Sequence, residues 1–218
     1  MSILLFAVLG FVILCIFVLI ISGRRLASAP KVFLLHRLSN SSLDASSFTV
    51  QKFENLLDAI DAKGLTIAPI EECLRDRTKV AITFDDAYED LMLLKPLLVQ
   101  RRLPLLVFVP TAFIGKTNTW DNFLNSGKRR HLGESQMREL AAMGVQFGSH
   151  GHTHRDLSTI STDDVQAELV SSLRILNSIT GRETTTIAYP FGRSNHRVQR
   201  LALDLGIVHQ FAASPLTK

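Results

Sequence analysis

Cysteine is nearly absent. Cys15 sits in an apolar run and Cys73 far along the chain, so the two cannot readily pair and no disulfide framework braces the fold. Charge of one sign is not in large excess either. The 24 lysines and arginines against 20 aspartates and glutamates leave +4, part of it from Arg24 and Arg25, so nothing calls for nucleic acid as a partner. No internal repeat, low-complexity tract or phosphate-cradling glycine loop appears, which argues against repeat arrays and nucleotide-binding loops. Aromatic residues make up 7%, with a single tryptophan, Trp120.

Apolar residues, by contrast, make up 46% of the 218 positions, enough for one sizeable core after about thirty residues are assigned to an anchor. Ile3 to Ile21 holds no charged or strongly polar residue. Nineteen positions at about 1.5 Å each nearly cross the roughly 30 Å hydrocarbon layer, which predicts one transmembrane helix within residues 1–23. A cleaved signal peptide is the weaker reading, because the run is long, no basic residue precedes it, and Pro30 follows the Ala27-Ser28-Ala29 that resembles a cleavage site. Residues 24–30 form a short linker, too short for a long tether, and 31–218 one catalytic domain close to the bilayer. Arg24, Arg25 and Lys31 follow the helix, so the positive-inside tendency places that domain in the cytoplasm.

Two short segments carry chemistry. Thr83-Phe84-Asp85-Asp86 closes one apolar strand-like run and His150-Gly151-His152-Thr153-His154 closes another. A carboxylate and two imidazoles can hold one divalent metal, and three protein ligands leave a position open for catalysis. Neighbouring carboxylates diverge on an extended strand, so the chain must bend for both to face one site, where one binds metal and the other handles protons. Histidines four apart meet either on one helical turn or across a tight loop. An aspartate pair standing alone is usually a turn or cap and a histidine pair often surface decoration. Both at strand ends of an alternating fold favour the metal.

At these residues the chain resembles the polysaccharide deacetylases, the NodB-homology family also called carbohydrate esterase family 4, over about residues 31 to 213. Thr83 to Asp86 is similar to the first motif, Ser149 to His154 with Arg155-Asp156-Leu157 to the second, and Ala188-Tyr189-Pro190-Phe191-Gly192 to the third. The resemblance implies Asp85 as catalytic base, Asp86, His150 and His154 as ligands of a divalent metal, zinc foremost, and the backbone N–H of Phe191 as oxyanion donor. Tyr189 and Pro190 are implied beside the substrate, and His152 has no assigned role. Two departures stand out. Ala188 occupies the place where many members carry an arginine that orients the catalytic aspartate, and no late histidine follows the strand-like 207–213 to serve as general acid. Val32-Phe33-Leu34-Leu35-His36 looks like that late motif moved to the front, the order seen in permuted poly-N-acetylglucosamine deacetylases, and makes His36 the candidate acid. The plainer alternative is a solvent-facing histidine at a strand end.

Strand-like and helix-like runs alternate through the rest, predicting an α/β fold with a largely parallel sheet. A distorted, incomplete (β/α) barrel of the polysaccharide deacetylase type fits, with strands near 31–35, 80–84, 105–109, 145–149, 185–189 and 207–212. Helices are expected near 49–63, 135–143 and 162–179. The last has Ser161 and Asp164 in capping-box spacing, an apolar stripe of Val165, Leu169, Leu173 and Leu176, and Gly181 as its stop. The polar stretch 115–133 lies where functional loops collect. Trp120 there either stacks on a sugar or plugs the barrel rim, with Asp121 beside it to position sugar or a catalytic group. Lys128-Arg129-Arg130-His131 either meets phosphates of a lipid-linked substrate or membrane headgroups or, more simply, forms a solvated loop.

The expected function is metal-dependent removal of N-acetyl groups from amino sugars of a polysaccharide or lipid-linked glycan at the membrane. A glycan-binding pseudoenzyme, suggested by Ala188, and a metal-dependent sugar O-acetyl esterase are the alternatives. The resemblance favours an extracytoplasmic domain more often than a cytoplasmic one, so the side of the membrane stays open.

Overall fold

The computed structural model describes residues 31–39, 48–118 and 129–212. The expected membrane helix and linker, and both Trp120 and Asp121, lie outside them. Among the described residues no helix is long and apolar enough to cross a membrane.

Among the described residues nine strands run β1 31–35, β2 38–39, β3 48–49, β4 66–67, β5 79–84, β6 106–109, β7 146–149, β8 186–188 and β9 209–211. Six helices of the same residues alternate with them: α1 50–62, α2 70–73, α3 95–101, α4 134–142, α5 162–180 and α6 196–204. The main sheet has the order β1-β5-β6-β7-β8-β9 with β4 also on β5, and every pairing in it is parallel. This is the expected βα-repeating architecture. All six expected strands form, and the three expected helices differ from their sequence bounds by at most one residue at each end. Only the last strand is notably shorter than expected. Ile207 is fully buried but belongs to the turn that closes α6, its N–H bonded to Ala202 O, with Gly206 at φ 85. Its apolar character reflects core packing, not pleating.

The sheet is curled. Phe108 on β6 and Phe211 on β9 bring their ring centroids to 5.2 Å, although strands three apart in a flat sheet are about 14 Å apart. Gly148 on the intervening β7 leaves the room, since a Cβ there would lie 2.7 Å from the Phe108 ring and closer still to Thr186 Oγ1. Among the described residues the end strands β1 and β9 do not pair with each other, which leaves the barrel incomplete there.

Alternation along β5 assigns each face. Val80, Ile82 and Phe84 enter the large core with Phe53, Leu57 and Leu98 from the covering helices, while Ala81 joins Leu106, Phe108 and Ala188 in a smaller inner cluster. A third cluster joins α5 and α6 to β8 through Leu169, Val198 and Ile187. Burying these apolar side chains stabilises the fold by roughly 1.5–3 kcal/mol each before entropy is counted. Helix α5 begins as expected: Ser161 Oγ accepts the Asp164 N–H at 3.2 Å, and Gly181 ends it in the left-handed region at φ 66.

Candidate active site

The parallel strands deliver their carboxyl ends to one rim. Asp85 extends the ladder by one residue, its N–H bonded to Leu35 O at 2.9 Å. The backbone then turns through the left-handed region at Asp86, φ 68, and Ala87, φ 51. That turn answers the problem posed by adjacent carboxylates: it brings the Asp86 side chain round toward the histidines instead of to the opposite sheet face. Two contacts pin it, His131 Nδ1 on Asp86 O at 2.6 Å and Leu132 N–H on Ala87 O at 2.8 Å.

His150 follows β7, its N–H bonded to Val109 O at 3.0 Å. Its Nδ1 lies 2.8 Å from Ala188 O, and because a carbonyl only accepts, Nδ1 carries the proton and Nε2 presents its lone pair to Asp86. The chain reaches His154 through a tight loop, not a helical turn, with Gly151 at φ 73 and His154 itself at φ 58. Asp86 Oδ1 is then 3.6 Å from His150 Nε2 and 3.3 Å from His154 Nε2. One ligand atom from each of Asp86, His150 and His154 lies within 4.8 Å of the others, and all three side chains are buried. Two imidazoles and a carboxylate converging in this way fit a single divalent cation.

Burial, above all, sets the protonation of this cluster. It depresses His150, and it depresses His154 to about 3 with help from His150, His131 and His36, so both rings are neutral, the form that ligates. Burial pushes Asp85 up to about 6, opposed by His150 and reinforced by the neighbouring Asp86 carboxylate. His36 ends β1 opposite Asp85, with Nε2 3.8 Å from Asp85 Oδ2 and a side chain 53% exposed. Asp85 Oδ1 and Thr83 Oγ1, by contrast, are buried with no hydrogen-bond partner among the described residues. No arginine reaches Asp85 among the described residues, because Ala188 lies in the inner cluster and offers only its carbonyl, to His150.

The third motif divides. Phe191 is left-handed at φ 59 and ψ 11 and is 57% exposed, and its ring centroid stands 4.9 Å from that of His154. Tyr189, expected beside substrate, is instead core: it is 2% exposed, its hydroxyl donates to Gln210 Oε1 at 2.7 Å, and burial raises its pKa. Pro190 is likewise buried, near Gly151. Of the basic run, Lys128 lies outside the described residues and Arg130 is exposed, whereas His131 turns inward. It is buried against the rings of Tyr88 and Phe113 and holds the Asp86 backbone. His152 lies outside the ligand group, its Nδ1 2.9 Å from Thr111 Oγ1. Sequence reasoning also missed Glu168, whose carboxylate accepts the His152 and Thr153 N–H groups at 2.7 and 2.8 Å. The available signal was a charge beside Leu169 within the apolar stripe of α5.

The polysaccharide deacetylase family profile matches residues 75–209. The chain is 31% identical over 139 residues to YxkH of Bacillus subtilis (strain 168), a protein named as a polysaccharide deacetylase; the match covers 63% of this chain and 43% of that one. A gellan lyase from Bacillus sp is 37% identical over 86 residues, 39% of this chain but 3% of the lyase. The chain thus spans less than half the length of these curated relatives. Among solved structures, Streptococcus pyogenes deacetylase PplD, in complex with acetate, superposes with a TM-score of 0.66 at 23% identity, covering 81% of this chain and 80% of that one. IcaB from Ammonifex degensii gives 0.69 at 18%, covering 85% and 84%. These likenesses establish the fold, and the profile match across more than half of the chain establishes the lineage: the protein belongs to the polysaccharide deacetylase family.

Proposed function

We propose that this protein is a metal-dependent hydrolase that removes N-acetyl groups from amino sugars of a polysaccharide or a lipid-linked glycan. The observation that carries the reading is the convergence of Asp86, His150 and His154 beside the Asp85 carboxyl group, with His36 across from it. Asp86, His150 and His154 would hold the cation, zinc foremost for this donor set, and it would supply Lewis acidity to the amide carbonyl and acidify water.

The chain's own residues do the rest. Asp85, with its pKa drawn toward neutrality, takes a proton from the attacking water as the new C–O bond forms. The Phe191 N–H is assigned to the developing oxyanion. His36 gives a proton to the departing nitrogen as the C–N bond breaks, leaving a free amine on the sugar and acetate in solution. A front-placed histidine thereby takes the part of the late one, and its 3.8 Å approach to Asp85 supports that role. Trp120 and Asp121 are assigned to the sugar, and residues 1–23 to a single-pass anchor that keeps the site near the bilayer.

A second reading is a glycan binder without turnover, since among the described residues no arginine orients Asp85 and its Oδ1 has no hydrogen-bond partner. A sugar O-acetyl esterase would use the same groups. Free amine separates the three. Metal content, amine and acetate are measured with N-acetylglucosamine oligomers, lipid-linked acetamido sugars and O-acetylated sugars. Metal-dependent amine release supports the deacetylase; acetate without amine supports the esterase, and bound metal with neither product supports the binder.

A further inference from the structure

The geometry points to Glu168 on α5, together with Ser172 one turn later, as the positioning residues that set the His150–His154 pair. This rests on the metal reading above. His150 is fixed by β7 and by the Ala188 carbonyl, but His154 stands at the far end of a loop with no strand to hold it. The backbone from which its ring projects is therefore set through residues 151–153.

Helix α5 clamps that loop. Glu168 is only 6% exposed and its Oε2 accepts both the His152 and Thr153 N–H groups, while the Thr153 hydroxyl donates to Oε1. Ser172, fully buried, shares a 2.8 Å hydrogen bond with Ser149 Oγ, which in turn accepts the Gly151 N–H at 3.1 Å. Gly151 is needed twice: at φ 73, and because a Cβ would lie 3.3 Å from Glu168 Oε2. The opposite side of the loop is held by the 111–113 turn, with Thr111 N–H on Gly151 O, Ala112 N–H on His152 O and Thr111 Oγ1 on the His152 ring.

Packing does not explain this carboxylate. No lysine or arginine pairs with Glu168 among the described residues, and its neighbours on the stripe, Val165 and Leu169, are apolar and fully buried. A buried charge is costly unless it is hydrogen-bonded, and an apolar residue would fill the same space more cheaply. The carboxylate gathers three donors from two consecutive residues just before His154, which fixes the backbone from which that ring projects. Partners that orient ligands govern metal affinity as well as turnover.

The test measures Zn2+ affinity by competition and the visible spectrum of the Co2+ form in the full chain, comparing wild type with E168A, E168Q and L169A. E168A is expected to weaken both ions about tenfold or more and to alter the Co2+ bands. E168Q should recover most of the affinity, since its amide oxygen still accepts both N–H groups and the Thr153 hydroxyl can turn to accept from the amide. L169A, which loosens the same helix face without touching the loop, should lower the melting temperature and leave affinity unchanged. In the metal-free chain, amide exchange at His152 and Thr153 should accelerate in E168A while the middle of α5 stays protected. Unchanged affinity in E168A, an equal loss in L169A, or unchanged exchange at those two amides each overturns the role given to Glu168. A wild-type chain that binds neither ion overturns the metal reading itself, a separate result.

Discussion

At the scale of single residues, burial governs the chemistry. In the proposed mechanism Asp85 and His36 divide proton handling between a nearly enclosed carboxyl group and a half-open imidazole. Asp85→Asn is expected to lower amine release by about 100-fold or more while leaving metal content unchanged, because it removes the base and spares the ligands. Turnover unaffected by that change would end the proposed mechanism, whereas retained turnover in His36→Ala would remove only the acid assignment. Cys73 provides a residue-level check of the fold. Its Sγ contacts Ala68 O at 3.4 Å and burial pushes the thiol up to about 11, so alkylation of Cys73, followed by peptide mass spectrometry, should be slow in the native protein and fast in denaturant.

At the scale of elements, the site is built from strand ends that cease to behave as strands. Four of its residues, Asp86, Ala87, His154 and Phe191, adopt positive φ without being glycine. Each such conformation costs on the order of 1–3 kcal/mol and persists only where the surroundings hold it, here through His131, Leu132 and the clamped loop. The curl of the sheet depends on a different element, β7. Gly148→Ala is expected to destabilise the protein by about 1–3 kcal/mol in denaturant unfolding, since the added methyl meets Thr186 and the Phe108 ring at distances that force a shift. At the start of α5, Ser161→Ala should cost about 1 kcal/mol by the same measurement through loss of the cap.

At the scale of the whole molecule, the parallel order sends every strand's carboxyl end to the same rim, so residues from β1, β5, β7 and the turn after β8 meet there although they lie up to 155 positions apart in the chain, from His36 to Phe191. Metal, if bound there, stabilises the folded chain by mass action, about 2.7 kcal/mol at a hundredfold excess over Kd. Chelation should therefore abolish amine release and lower the melting temperature, with both restored by Zn2+. If residues 1–23 form the proposed anchor, a reporter fused after Lys218 would show on which side of the bilayer the domain lies, and so whether a cytoplasmic precursor or an exported polymer is within its reach.

The sequence by itself determined the alternation of strands and helices, the cap and stop of α5, and the three motifs, because these are local patterns of period, capping and spacing. It could name Asp85, Asp86, His150, His154 and His36 as candidates for the same reason. It could not choose between a helical turn and a loop for the two histidines, nor show that Tyr189 and His131 are buried, nor that Glu168 turns inward from an apolar stripe toward the loop before His154. Those outcomes depend on which faces the curled sheet brings together and on hydrogen bonds between segments distant in the chain. Only the tertiary structure decides how a buried polar group finds its partners.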